Sequence, residues 1–179
     1  MITITTHTHL DGDQSKAFTE IADDAFCELR KLDANDKAAM ADKYQLTPWI
    51  YLFAQDGDRY VAQVTLDKRS LEHNGHSFTA VGVGGLAVSS KYQRQGIGTK
   101  LMHEAIAYCR REQIDLVFLN AGEALHDYYR KFGFELHEYK FTGKSGTEYL
   151  EDEGMVLFLN TETKETLDGE VFDIGLGNV

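Results

Sequence analysis

Cysteine, long apolar stretches and positive charge are all scarce in this chain, and each shortage removes a class of protein. Only Cys27 and Cys109 are present. They stand in no metal-ligand or redox spacing and read as buried thiols of predicted helices in a reducing cytoplasm. No apolar run approaches the roughly 20 residues of a membrane helix. Met1-Ile2-Thr3-Ile4-Thr5-Thr6-His7 lacks the basic and apolar regions of a secretory leader, so a cytoplasmic protein with no membrane partner is expected. Lys and Arg number 18 against 29 Asp and Glu, a formal charge of -11. Without a basic stripe to neutralise a phosphate backbone, no nucleic-acid partner is expected, and the charge fits a cationic acceptor. Repeats and low-complexity linkers are also missing. A length of 179 residues with 42% apolar content suits one domain over 1–179, in which 161–179 is a C-terminal tail.

What is present is a mixed succession of elements. Residues 2–10 alternate as a strand, and Asp11-Gly12-Asp13 punctuates them. Phe18, Ile21, Ala22, Ala25, Phe26 and Leu29 then recur at helical spacing within 14–31, and a second short helix is expected near 35–44. Residues 48–54 and 59–71 read as strands joined at Asp56-Gly57. His73-Asn74-Gly75-His76 is a tight hairpin turn into a third, antiparallel strand. Further on, 114–119 is expected as a buried strand, 123–131 as a helix, 134–141 as a strand and 155–160 as the last strand. Leu167, Val171, Phe172, Ile174 and Leu176 argue that the tail packs somewhere, over its own site or on a neighbouring copy in a homodimer.

Two stretches at the centre carry the chemistry. Thr79-Ala80-Val81-Gly82-Val83-Gly84-Gly85-Leu86-Ala87-Val88 is apolar like a buried strand, yet it holds three glycines. Glycine there signals a bulge or a close backbone approach. A bulge frees N–H and C=O groups, with which an extended amide-bearing ligand such as pantetheine can pair. Gln93-Arg94-Gln95-Gly96-Ile97-Gly98-Thr99 follows, ahead of Leu101, Met102, Ala105, Ile106 and Cys109, the core face of a helix to about Arg111. A helix start offers unpartnered N–H groups and the positive end of the dipole, so main chain alone binds phosphate oxygens there. Lys91, Arg94 and Lys100 add charge around it. A nucleotide P-loop would need a Gly-Lys-Ser/Thr ending, and a dinucleotide fold Gly-x-Gly-x-x-Gly at its first turn; neither is present.

This strand, loop and helix resemble the GNAT superfamily of acyl-CoA-dependent N-acyltransferases, whose loop pattern Gln/Arg-x-x-Gly-x-Gly/Ala is met by Gln93, Gly96 and Gly98. Tyr129-Arg130-Lys131-Phe132-Gly133-Phe134, after the strand Asp115-Leu116-Val117-Phe118-Leu119-Asn120, is similar to the family's Tyr-x-x-x-Gly-Phe. The resemblance implies a mixed α+β fold: a central, mostly antiparallel twisted sheet of about seven strands, flanked by helices, with a bulged, splayed strand at the CoA site. It implies acetyl-CoA as cofactor, held by Leu86, Ala87, Val88, Gln93, Arg94, Gln95, Gly96, Ile97, Gly98, Thr99, Lys100, Asn120 and Tyr129. The family's usual Asn position relative to the tyrosine is held here by Gly122. Direct transfer to an amine in a ternary complex is implied, with Tyr129 protonating the departing thiolate. Tyr128 is its rival, because adjacent helical residues point about a quarter turn apart. An N–H near Val88 or Leu86 is expected to polarise the thioester carbonyl. No residue reads as the base that takes the amine's proton.

A longer resemblance, to aminoglycoside 2'-N-acetyltransferases, runs through Thr8-His9-Leu10, Arg69-Ser70-Leu71-Glu72-His73-Asn74-Gly75, Glu151-Asp152-Glu153-Gly154-Met155-Val156-Leu157-Phe158-Leu159 and the glycine-rich tail. It implies that Glu151, Asp152, Glu153 and Asp173 line an aminosugar site. The group's acidic residue in the bulged strand is matched here by Gly84, and its terminal Asp-Val-Trp by Gly177-Asn178-Val179. The expected acceptor is a small-molecule primary amine, aminosugars included. A noncatalytic CoA-binding module and a protein or peptide amine acetyltransferase are the alternatives. Other polar residues carry less: His7 and His9 read as one solvated strand face rather than a metal pair, and no metal is expected. His73 and His76 flank a turn, and His103 and His126 read as surface residues of helices. Trp49, Tyr51 and Phe53 alternate with Ile50, Leu52 and Ala54; core packing is the favoured reading for most of them, with one set facing the acceptor as the alternative.

Overall fold

Asp11 starts the first helix. Its carboxylate accepts from the Gln14 N–H at 2.8 Å and the Gln14 side chain accepts from the Asp11 N–H at 3.0 Å, a capping box that satisfies two otherwise orphaned donors. The computed structural model describes residues 1–26, 48–142, 146–151 and 153–174. The helix expected at 35–44, the continuation of the first helix past residue 26, Cys27, Asp152 and Leu176 lie outside them. In chain order the elements are β1 (Ile2–His7), α1 (Gly12–Ala25), β2 (Ile50–Asp56), β3 (Arg59–His73), β4 (His76–Val88), α2 (Ile97–Arg111), β5 (Leu116–Asn120), α3 (His126–Arg130), β6 (Glu135–Leu136), β7 (Tyr139–Thr142), β8 (Glu148–Glu151), β9 (Gly154–Phe158), α4 (Thr161–Leu167) and β10 (Phe172–Asp173).

Seven strands form one sheet in the order β1-β2-β3-β4-β5-β9-β6, and every neighbouring pair is antiparallel except β4 with β5. That parallel pair is joined by α2, since parallel strands need a crossover. The α+β class and the seven-stranded sheet are therefore as the sequence predicts, and Asn74 and Gly75, both at positive φ, form the hairpin turn before β4. One face of the sheet presents Leu52, Val64, Leu66 and Val117 to Leu101, Met102, Ala105 and Cys109 of α2. Full burial of such a large apolar side chain contributes about 1.5–3 kcal/mol. The other face meets Ile21 and Phe18 of α1 through Phe53 and Ala87. Ile50, Leu52 and Ala54 thus pack under α2, while Tyr51 and Phe53 pack against Phe18.

The C-terminal third departs from expectation. The strand predicted over 134–141 is two strands: β6 pairs with β9 in the large sheet, whereas β7 joins a second sheet of order β10-β7-β8. His137 makes the break, its N–H bonded to the Gly154 oxygen at 2.8 Å and its ring against Phe158 and Phe172. Residues 155–160 are not the last strand either: β9 stops at Phe158, and Asn160 caps α4 by accepting from the Glu162 N–H. The segment read as a tail returns through α4 and β10, with Leu167, Phe172 and Ile174 fully buried and Val171 exposed. Among the described residues no helix is long and apolar enough to cross a membrane.

Candidate active site

β4 and β5 run together for three residue pairs, from Ala80↔Leu116 to Gly82↔Phe118, and then part. β5 continues beside β9 and β4 continues beside β3, so a wedge opens between them. Each glycine of β4 has its own part in this. A Cβ on Gly82 would lie 2.9 Å from Phe118 Cζ, so its absence lets that ring close on the strand. Gly84 offers its carbonyl to Thr65 Oγ1 at 3.0 Å. Gly85, at φ +57, carries the bulge: Gln63 faces Ala87 but Thr65 faces Gly84, so β4 takes three steps where β3 takes two. The wedge is a cleft of about 370 Å³ whose walls include residues 82–86, 118–121, Leu125 and Tyr129, with Asp67, Arg69, Tyr139 and Phe141 at one end.

At the head of α2, Gly96 is the N-cap in the left-handed conformation, φ 76, and no side chain caps the helix. Gln93 and Gln95 are exposed, and their amides donate back to the Val88 and Lys91 carbonyls at 3.0 and 3.1 Å and brace the loop. Arg94, Thr99, Lys100 and Lys91 are exposed, Gly98 is half-buried, and Ile97 is anchored in the core. A 15-residue helix with an uncapped first turn, cations around it and open space above Gly96 fits a diphosphate.

Tyr129 sits in the cleft wall, its ring edge-on to Tyr128 and Phe134. Burial, and to a lesser degree Tyr128, pushes its hydroxyl pKa up to about 12, so it stays protonated at neutral pH. The Tyr128 hydroxyl instead bonds the Thr99 side chain, which offsets part of the rise that burial imposes on it. Sequence spacing left these two tyrosines as rivals; only Tyr129 lines the cleft. His126, expected at the surface, is buried, and its Nε2 donates to the Ala121 carbonyl at 2.8 Å. Cys109 is a buried free thiol whose pKa burial pushes up to about 12, so it holds no thiolate.

The far end of the cleft holds a pair that sequence reasoning missed. Asp67 and Arg69 of β3 are 1% and 8% exposed, and Asp67 Oδ2 accepts from Arg69 Nε at 3.1 Å and Nη2 at 2.9 Å. Burial raises the Asp67 carboxyl above its ordinary range, while Arg69 opposes that rise through its charge and its hydrogen bonds. The available signal was a polar run at every second position of a long strand, Gln63, Thr65, Asp67 and Arg69.

The remaining predicted site residues are scattered around this centre. Leu86 and Asn120 line the cleft, Val88 is half-buried at the loop, and the Ala87 side chain packs under α1. Glu151 is buried on β8 opposite Tyr139, and Asp173 is exposed on β10 beside Lys140. Glu153 lies in a separate depression with Glu123, His126, Asp127 and Arg130. β1 ends at His7, so His9 is not on its face; the His7 ring bonds Thr5 and Gln14.

A family model described as an acetyltransferase (GNAT) domain matches residues 8–137. The chain belongs to this family. As a GNAT domain it is an acetyl-CoA-dependent acyltransferase, and the loop geometry above suits that cofactor. The fold recurs in a GNAT family N-acetyltransferase from Escherichia coli crystallised with CoA, 20% identical, with 98% of this chain and 90% of that one covered at a TM-score of 0.66. A GNAT family acetyltransferase from Brucella melitensis in complex with acetyl-CoA is 17% identical, with 88% and 89% covered at a TM-score of 0.59. A probable N-acyltransferase from Enterococcus faecalis is 16% identical at a TM-score of 0.59; the match covers 77% of this chain and spans 33% of that longer protein.

Proposed function

We propose that this GNAT domain moves the acetyl group of acetyl-CoA onto the primary amine of a small molecule by direct transfer in a ternary complex, with aminosugars as the first acceptor class to try. The observation that carries the reading is the cleft, with Tyr129 in its wall and the buried Asp67 carboxylate among its lining, bordered by the strand β4 that leads on to the uncapped start of α2. Bound acetyl-CoA supplies an activated acetyl carbonyl. Gly96, Gly98, Thr99, Arg94 and Lys100 would hold its phosphates, and the free edge of β4 from residue 83 on, with Asn120 opposite, would take the amides of its arm. An N–H near Leu86 or Val88 polarises the carbonyl. Tyr129 gives its proton to the departing sulfur. The aminosugar reading is supported by the stretches that resemble aminoglycoside 2'-N-acetyltransferases and by a formal charge of -11, which favours a cationic acceptor.

Thiol release from acetyl-CoA, measured with 2'-amino aminoglycosides, arylalkylamines, polyamines and a lysine peptide, tests this beside calorimetry of acetyl-CoA binding. Turnover of the 2'-amino compounds is the expected result. Turnover of other small amines alone would keep acetyl transfer and discard the aminosugar. Binding without turnover of any amine would replace the enzyme by a noncatalytic CoA-binding module.

A further inference from the structure

An alkylamine arrives at neutral pH as an ammonium, which has no lone pair with which to attack a carbonyl. Some group in the cleft has to take a proton from it. Among the described residues lining the cleft, Asp67 is the one carboxylate. Its place follows from the sheet register. Asp67 on β3 stands opposite Gly82 on β4, which stands beside Phe118 on β5, and residues in such a row project from the same face. Gly82 brings no side chain of its own and the Phe118 ring lies over it, and Asp67, Gly82 and Phe118 all line the wedge. The next row on that face is Thr65 and Gly84, so a second side chain is missing diagonally, on the order of 7 Å from Asp67 and toward the bulge.

The hydrogen bonds sort the two carboxylate oxygens. Arg69 places Nε and Nη2 on Oδ2. Oδ1 accepts from no described residue, although the side chain is only 2% exposed. Oδ1 opens on the cleft rather than onto dry core, so water or a ligand completes its hydrogen bonds there. Arg69, its guanidinium 5.5 Å from the centre of the Phe118 ring, fixes which oxygen is left.

We infer that Asp67 Oδ1 receives the acceptor's ammonium and takes its proton, with Arg69 as a positioning residue. This deepens, and rests on, the acetyl-transfer reading above. One proton passes from nitrogen to Oδ1 and is later released to solvent. The neutral nitrogen forms the new C–N bond to the acetyl carbon while the C–S bond breaks, its electron pair leaving on sulfur. The Tyr129 hydroxyl proton goes to that sulfur, and the second proton shed by nitrogen restores the hydroxyl. With Phe118, Tyr139 and Phe141 around Asp67, this end of the cleft takes one ammonium on a carrier with an apolar face.

The test compares a protonated amine with one that is largely neutral at the same pH. Thiol release at saturating acetyl-CoA is measured for the wild type and Asp67→Asn with phenethylamine (or glucosamine, should aminosugars be the acceptors) and with hydroxylamine. Asp67→Asn should lose about a hundredfold or more in kcat/KM with the protonated amine, and hydroxylamine, which needs no base, should rescue most of that deficit. Removing the Asp67 charge beside the buried Arg69 is itself destabilising. Asp67→Asn with Arg69→Gln, which removes both charges, is therefore measured alongside, with melting and acetyl-CoA affinity as controls of the fold. An undiminished rate with the protonated amine, or equal loss with both amines in a folded variant, overturns the assignment of Asp67 alone. A wild type that turns over no amine at all overturns the acetyl-transfer reading and this one with it.

Discussion

Tyr128 and Tyr129 are adjacent in sequence and their rings touch edge-on, yet the Tyr128 hydroxyl is braced on Thr99 at the head of α2 whereas Tyr129 lines the cleft wall. Tyr129→Phe is therefore expected to lower kcat by roughly 10- to 100-fold, about 1–3 kcal/mol of barrier, with acetyl-CoA affinity kept. Steady-state kinetics beside calorimetry checks this. The pH dependence has a definite sign. Because burial raises the hydroxyl pKa to about 12, the protonated form is favoured in the fold; its contribution to stability is present below the ordinary tyrosine range and lost as pH rises through about 12. No alkaline loss of turnover below about pH 10 should trace to Tyr129. A wild-type limb in that range that Tyr129→Phe abolishes would contradict this environment. Tyr129 was legible in the sequence because its spacing to Gly133-Phe134 is a local motif. Asp67 and Arg69 were not, because in the chain they are two charges in a strand, and what brings them to a cleft is the register that sets Asp67 beside Gly82 and Phe118, where β4 and β5 part.

At the scale of elements, the turn from β4 into α2 joins the free strand edge to the free helix start. Gly96 is held at φ 76, where alanine costs about 1–2 kcal/mol. Gly96→Ala should lower the melting temperature and weaken acetyl-CoA binding together; calorimetry showing unchanged affinity in a destabilised protein would remove this loop as the phosphate seat. Gln93 and the two glycines announced the loop, but the turning back of both glutamine side chains onto it did not show in the pattern, since it depends on where the Val88 and Lys91 carbonyls come to lie. The strands past residue 133 were the hardest to read. Phe134, Tyr139 and Phe141 look like one apolar run, and the contacts that divide it, Gly154 and Phe172 against His137, come from much later in the chain. β8 is short and half-exposed, with no apolar periodicity to mark it.

Across the whole molecule, what could be read ahead was what is local: the hairpins through β4, the α2 crossover and the two motifs. The second sheet is non-local, with β10 pairing in parallel with β7 through Phe172↔Tyr139. Phe172 is fully buried and stacks near Tyr139, a wall residue of the cleft. Phe172→Ala should therefore cost about 3–5 kcal/mol in denaturant unfolding. It should also impair turnover in the fraction that remains folded, whereas a stability loss under 1 kcal/mol would mean that the returning segment is not integral to the fold.

The early parting of β4 from β5 also divides one strand into two kinetic regimes. From Ala80 to Gly82 it sits inside a ladder on both sides; past that point, among the described residues, one side of it has no neighbouring strand. Deuterium should enter the open-side amides of residues 83–88 quickly and the amides of 80–82 slowly, since exchange follows local opening. An occupant that bonds there like an added strand would erase the contrast, so uptake by a single peptide spanning residues 83–88 would count filled clefts in a sample even before any acceptor is known.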